Sequence, residues 1–149
     1  AISPNPDLIA IERHGAQPEV TACTTRQEQT ALILQAIKEF RTLTYQTLGI
    51  ICKSQKQAER LHKALCTDAP EVHMLDAQST AFVQGVVICT AHLAKGLEFD
   101  QVLVPDADAK TYANTMDRNI LYVACTRAMH TLTLTYVGKL TPLVDSSAL

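Results

Sequence analysis

The stretch TAHLAKGLEFD (90–100) gathers the groups that a phosphate-bearing ligand would need. A buried strand, Val86 to Cys89, would deliver Thr90, His92 and Lys95 to its carboxyl end. A hydroxyl, an imidazole and an ammonium are suited to the phosphates of a nucleic-acid strand. Gly96 lets the backbone turn and come close to a ligand, and Glu98 presents an acceptor for a ribose hydroxyl. A second stretch, DRNILYVACTRAMHTL (117–132), reads as a helix on which Leu121, Cys125 and Ala128 form the packed stripe. Arg127 lies off that stripe, near the helix C-terminal end. A guanidinium is permanently charged, and its fork of N–H donors matches phosphate oxygens; the bland alternative is a salt-bridged surface arginine. Arg118 and Tyr122, one turn apart, are expected to be structural or hinge-facing. A third stretch, LGIICKSQKQAERLHKAL (48–65), is an apolar strand with Lys53 at the start of the following helix. Lysine is a point charge without the bidentate fork, and Ser54 serves equally well as a helix N-cap.

No phosphate cradle accompanies these groups. A P-loop needs two glycines spaced so that backbone N–H groups wrap a phosphate, then Lys and Ser or Thr. The five glycines are Gly15, Gly49, Gly85, Gly96 and Gly138, and none pair at that spacing. No G-x-G-x-x-G, G-x-S-x-G, H-E-x-x-H or zinc-spaced histidine pair occurs either, and no metal site is expected. His14, His62, His73 and His130 are dispersed and read as surface or structural. The end of QVLVPDAD resembles a magnesium-binding strand exit, but without a P-loop Asp106 and Asp108 read as solvated carboxylates capping a strand.

The elements that must position these side chains alternate. β-Branched runs occur at 18–24, 47–53, 71–76, 85–92, 101–106 and 130–137. Helical patterns lie at Gln27 to Phe40, Lys56 to Leu65 and Asp117 to Met129. In the first, Leu32, Ala36 and Phe40 recur beside Ile33 and Ile37; in the second, Ala58, Leu61 and Leu65 do the same. Near-continuously apolar strands separated by amphipathic helices mean a sheet covered on both faces, hence an α/β fold with a mainly parallel core. The last run, HTLTLTYV, alternates threonine with leucine and is expected to be an edge strand with one wetter face. Ligands of such sheets sit beyond the carboxyl ends of the strands. The places to search are therefore Thr24–Thr25, Lys53–Ser54, the segments after His92 and Pro105, and the tail of the final helix.

A chain of 149 residues suits one domain spanning 1–149. Its net charge of −2 excludes a polycation wrapped around nucleic acid, so such contact must come from a local patch or a partner domain. No apolar run approaches the roughly 20 residues that span a bilayer, and AISPNPDL lacks a signal-peptide layout. The cysteines, Cys23, Cys52, Cys66, Cys89 and Cys125, are scattered and never form C-x-x-C. They read as small buried hydrophobes of a reducing cytosol.

Taken together, the three stretches resemble motifs of superfamily 1 helicases of the UvrD/Rep kind. Residues 90–100 resemble motif V, T-x-H-x-x-K-G-L-E-F-D; 117–132 resemble motif VI, with its Y-V-A-x-T-R-A; and 48–65 are similar to motif IV. The resemblance runs from about Leu8 to Leu140 and includes the front segment IERHGAQPEV. It implies a C-terminal RecA-like domain, a three-layer P-loop NTPase-type fold without its own P-loop. ATP and Mg2+ would then be bound mainly by an N-terminal RecA-like domain absent from these residues. Arg127 would reach across to the γ-phosphate, with Lys53, Gly96 and Glu98 completing the nucleotide site. Thr90, His92 and Lys95 would contact single-stranded DNA. In phosphoryl transfer an arginine finger of this kind contributes about 10³–10⁵ in rate. The family commonly carries arginine at the place of Lys53, and UvrD and Rep insert a large accessory domain between motifs IV and V. Here the interval from Leu65 to Val86 is short. Lys53, the missing insertion and the V-A-C-T-R-A-M wording look most like the helicase-IV-like group. That group includes proteins that remodel RNA polymerase, so an ATP-switched polymerase-binding factor is the rival expectation.

Overall fold

The structure is a computed structural model that describes residues 18–76 and 84–144. His14 and the front segment as far as Gln17 lie outside the described residues.

The described chain runs β1 (Glu19–Cys23), α1 (Arg26–Thr42), β2 (Thr47–Cys52), α2 (Gln55–Leu65), β3 (His73–Met74), β4 (Gly85–Thr90), α3 (Ala91–Ala94), β5 (Phe99–Val104), α4 (Thr115–Cys125) and β6 (Ala128–Val137). The strands form one sheet in the order β1-β6-β5-β2-β4-β3, and every named pair is parallel. The expected α/β fold is present, with helices on both faces. Adjacent residues of one strand show why the strands read as continuous apolar runs. Ile50 and Ile51 are both fully buried, yet they enter opposite layers because side chains alternate across a sheet. Ile50 packs with Ile33, Ile37, Ala58 and Leu65 of α1 and α2. Ile51 packs on the other side with Phe99, Val102 and the α4 residues Leu121 and Ala124.

Helix starts are set locally. Thr25 caps α1 by accepting from Glu28 N, and Ser54 caps α2 within a capping box completed by Gln57. Asn114 and Asp117 form the equivalent box at α4. The buried stripe of α1 centres on Gln29, Ile33, Ile37 and Phe40, with Leu32 and Ala36 only half-buried at its margin.

Two sequence expectations require correction. HTLTLTYV is not an edge strand: β6 lies between β1 and β5, and the described edges are β1 and β3. Thr135 is tolerated inside because a polar partner is supplied: its buried hydroxyl donates to Gln29 Oε1 at 2.8 Å. The final helix also ends early. It stops at Cys125, where Thr126 Oγ1 turns back onto the carbonyls of Tyr122 and Val123. Ala128, expected on the helix stripe, instead opens β6 opposite Phe99. Pairing with β5 along a strand-forming run outcompetes one further helical turn.

Candidate functional site

The polar residues of the TAHLAKGLEFD stretch are split between the two ends of the sheet. Thr90, the last residue of β4, is 7% exposed, and its hydroxyl accepts from Leu93 N at 3.2 Å, capping the single turn of α3. It shapes the turn that presents His92 and Lys95, both exposed. These two, with Ala91, Lys53 and the α4 residues Asn119, Ile120 and Val123, line a cleft of about 270 Å3.

Lys53 follows β2 at the same edge, and its ammonium is engaged. Nζ is 2.7 Å from Asp117 Oδ1, donates to Thr111 O at 2.6 Å, and sits 5.8 Å from the Tyr112 ring centroid. Burial alone would raise the Asp117 carboxyl. Hydrogen bonds from Lys53 and from the backbone of Ala113 and Asn114 instead hold it below its ordinary value.

From Lys95 the chain crosses back to the amino end of β5. Gly96 has φ +82, a conformation that side chains rarely adopt, and a Cβ there would meet nothing within 4 Å. The backbone is therefore open to an outside group. Glu98 is exposed beside it. Arg127 lies in the turn between α4 and β6, half-exposed. Its Nε donates to Val123 O (3.2 Å), Nη1 to Leu97 O (3.3 Å) and Nη2 to Thr126 Oγ1 (3.3 Å). The backbone closes the same turn, with Phe99 N donating to Arg127 O at 2.9 Å. Every one of these partners is neutral, and among the described residues no carboxylate pairs with Arg127. A permanent cation with spare N–H donors is thus fixed against the loop that carries Gly96 and Glu98. The surface-salt-bridge alternative for Arg127 does not describe this geometry.

Arg127, Gly96 and Glu98 come together at the amino end of β5 and β6. Lys53, His92 and Lys95 come together beyond the carboxyl ends of β2 and β4. Lys53 is not beside Arg127. The tail of α4 is a helix-to-strand turn, so it lies opposite the edge where the fold rule directs a search.

Asp106 and Asp108 hold local structure. Asp106, at φ 56, is not a freely solvated cap; it accepts from Gln29 Nε2 (2.9 Å) and Gln57 Nε2 (3.4 Å) and lies 3.5 Å from Arg60 Nη2. Asp108 holds the turn after β5 by accepting from the backbone of Lys110 and Thr111. His62 meets Val72 O at 3.2 Å, His73 is exposed, and His130 stacks on Tyr45 with centroids 5.2 Å apart. Asp117 and Thr111 were missed as partners of Lys53. The N-x-x-D spacing of Asn114 and Asp117 signals a capping residue, but nothing local connects it to Lys53.

Comparisons with known proteins identify the family and the fold. The family model described as "UvrD-like helicase C-terminal domain" matches residues 85–135, which contain both the Thr90–Glu98 stretch and Arg127. DNA helicase II of Escherichia coli (strain K12) is 35% identical over 71 residues, covering 41% of this chain and 10% of that protein. The Salmonella typhimurium DNA helicase II gives the same figures, so the match spans about a tenth of these curated relatives. Among solved structures, the C-terminal domain of a possible DNA helicase from Lactobacillus plantarum WCFS1 is 34% identical, with a TM-score of 0.80, over 92% of this chain and 83% of that one. The C-terminal domain of the DEAD-box protein Dbp5 shares the fold at a TM-score of 0.57 and 15% identity, covering 82% of this chain and 77% of that one. With family motifs, fold and a relative matched over most of its length, the chain belongs to the UvrD-like helicase C-terminal domains.

Proposed function

We propose that this domain is the closing half of an ATP-driven motor that moves along single-stranded DNA. The face carrying Arg127, Gly96 and Glu98 meets a nucleotide held by an N-terminal RecA-like domain of the same protein. The face carrying His92, Lys95 and Lys53 meets the strand. The observation that carries the reading is the uncompensated guanidinium of Arg127, fixed by neutral acceptors beside an open glycine and an exposed glutamate. Such a group stabilises charge that develops on a transferring phosphoryl group. Among the described residues no cluster of three or more His, Cys, Asp or Glu could hold a metal ion. Magnesium, which would neutralise phosphate charge, is assigned to the N-terminal domain together with the triphosphate, since these 149 residues contain no P-loop sequence. Glu98 accepts from the ribose, and Gly96 lets the sugar-phosphate approach the backbone.

Lys53 departs from the role expected from the resemblance. Its charge is paired with Asp117 and it borders the His92–Lys95 cleft, so we assign it to the strand face. Thr90 acts through α3 by placing His92. Alternating closure and opening of the two domains would couple hydrolysis to grip and release of the strand.

The test is Arg127→Ala in the complete protein that contains this domain. ATP turnover should fall about 10³-fold or more, while strand binding without nucleotide stays at the wild-type level. The lost hydrogen bonds are partly solvated and should cost only about 1 kcal/mol of stability. Arg127→Lys, which keeps charge without the fork, should fall between the two. Near-wild-type turnover in Arg127→Ala would remove the assignment.

A further inference from the structure

A cleft of about 670 Å3, larger than the one beside His92, opens where the chain leaves β5 and β6 and enters α1. Arg26, Lys110 and Lys139 line it, all exposed, and among the described residues none has an acidic partner. Asp106 and Asp108 also line it, and both carboxylates are already hydrogen-bonded within the fold. Asp106 is taken by Gln29, Gln57 and the Arg60 cation, and Asp108 by the backbone N–H groups of Lys110 and Thr111. Three cations against two carboxylates, one of them also beside Arg60, leave the cleft lining slightly positive although the chain as a whole carries −2.

Its position is informative. Thr111 lines this cleft and accepts from Lys53 Nζ, which borders the first cleft. The basic groups thus follow the carboxyl edge of the sheet in strand order: His92 and Lys95 after β4, Lys53 after β2, Lys110 after β5, Lys139 after β6 and Arg26 after β1. At about 4.8 Å between neighbouring strands, the row from β4 to β1 extends over roughly 19 Å, long enough to follow several phosphates. Lys95, Lys110, Lys139 and Arg26 are exposed along this edge while Lys53 is half-buried on Asp117, and basic side chains spaced in this way are the pattern that tracks a nucleic-acid backbone.

We infer that Arg26, Lys110 and Lys139 form a second phosphate-binding segment that continues the single-strand track from the His92–Lys95–Lys53 cleft across β5, β6 and β1. The inference rests on the strand-face assignment proposed above and extends it to residues outside the three helicase-like stretches. It predicts a dependence on strand length. A short oligonucleotide occupies the first cleft alone, and a longer one reaches both.

The experiment measures binding of fluorescent oligo-dT of about 4 and about 15 nucleotides by the complete protein over a range of salt concentrations, without nucleotide. The variants are the triple substitution Arg26→Ala, Lys110→Ala, Lys139→Ala and the double substitution His92→Ala, Lys95→Ala. The triple variant should bind the longer oligonucleotide at least about tenfold more weakly. Its slope of log affinity against log salt should shrink by about 2, as for the loss of three phosphate contacts. Its binding of the short oligonucleotide should be unchanged. The double variant should weaken both lengths. Unchanged binding of the longer strand by the triple variant, as expected if the cleft takes an acidic protein segment, would overturn the inference while leaving the strand face in place. Equal losses on both lengths would overturn it too, since they indicate diffuse electrostatics. A double variant with wild-type binding would overturn the strand face and this extension together.

Discussion

Substituting Gly49 by alanine probes how the core holds the Arg127 turn. A Cβ at Gly49 would lie 2.7 Å from both Cγ and Cδ2 of Phe99 and 2.9 Å from Cε2. Ordinary carbon contacts are about 3.5–4.0 Å, so the overlap is close to 1 Å against a rigid ring. Neither partner can retreat easily. Gly49 sits in β2 between β4 and β5, paired with Val87 and Val102, and Phe99 is fully buried opposite Ala128. Overpacking of this kind costs about 1–3 kcal/mol, and relief of glycine's backbone entropy returns about 0.5–1 kcal/mol. A net loss of about 1–2 kcal/mol is expected, or several degrees in Tm at about 2–4 °C per kcal/mol. Urea unfolding of Gly49→Ala, Phe99→Leu and the double variant would measure it. If the ring is the obstacle, the smaller side chain relieves the strain and the double variant is more stable than the summed losses predict by at least about 0.5 kcal/mol. Because Phe99 N bonds Arg127 O, Gly49→Ala should also lower ATP turnover in the complete protein. Additive losses, or a Gly49→Ala protein as stable as the wild type, would refute the packing account.

The Arg127 and oligonucleotide-length predictions above bear on activity, and two more bear on charge and thiol chemistry. Asp117 is held below its ordinary value of 3.8, so its contribution is fully present above that pH and is lost as pH falls through the folded value. Lys53→Met should raise the acid-unfolding midpoint, followed by circular dichroism; an unchanged midpoint would mean the Lys53–Asp117 contact contributes nothing to folding. Burial pushes the Cys89 thiol up to about 12 and raises Cys52 and Cys23 as well, whereas Cys66 is half-exposed. An aromatic disulfide reagent should therefore modify Cys66 quickly and the other four cysteines only on unfolding, and rapid modification of the Cys66→Ser protein would contradict that burial.

Local chemistry alone determined much of this domain. Ser54 as a cap, the outward lysines of α2, the double-sided burial of the strands and the special backbone at Gly96 follow from short-range periodicity and sterics. The grouping of Gly96 and Glu98 with Arg127 was legible only through the resemblance to the helicase motifs, since each of these residues taken alone is an ordinary polar or turn residue. Sequence reasoning failed where the answer depended on distant partners. Alternating threonines suggest a wet face, but β6 lies inside the sheet, where Gln29 of α1 supplies the polar partner of Thr135. Arg127 looks helical from its neighbours, but Ala128 is claimed by β5.

Tertiary structure decided where each charge ended up. Nothing local in the sequence joins Lys53 to Asp117, and only folding placed that carboxylate 2.7 Å from its ammonium. Arg127 could have been an ordinary surface ion pair until folding surrounded it with carbonyl and hydroxyl oxygens alone. Residue type fixes what a side chain can bond, whereas the partner it finds depends on strand order and loop paths that bring distant segments within a few ångströms.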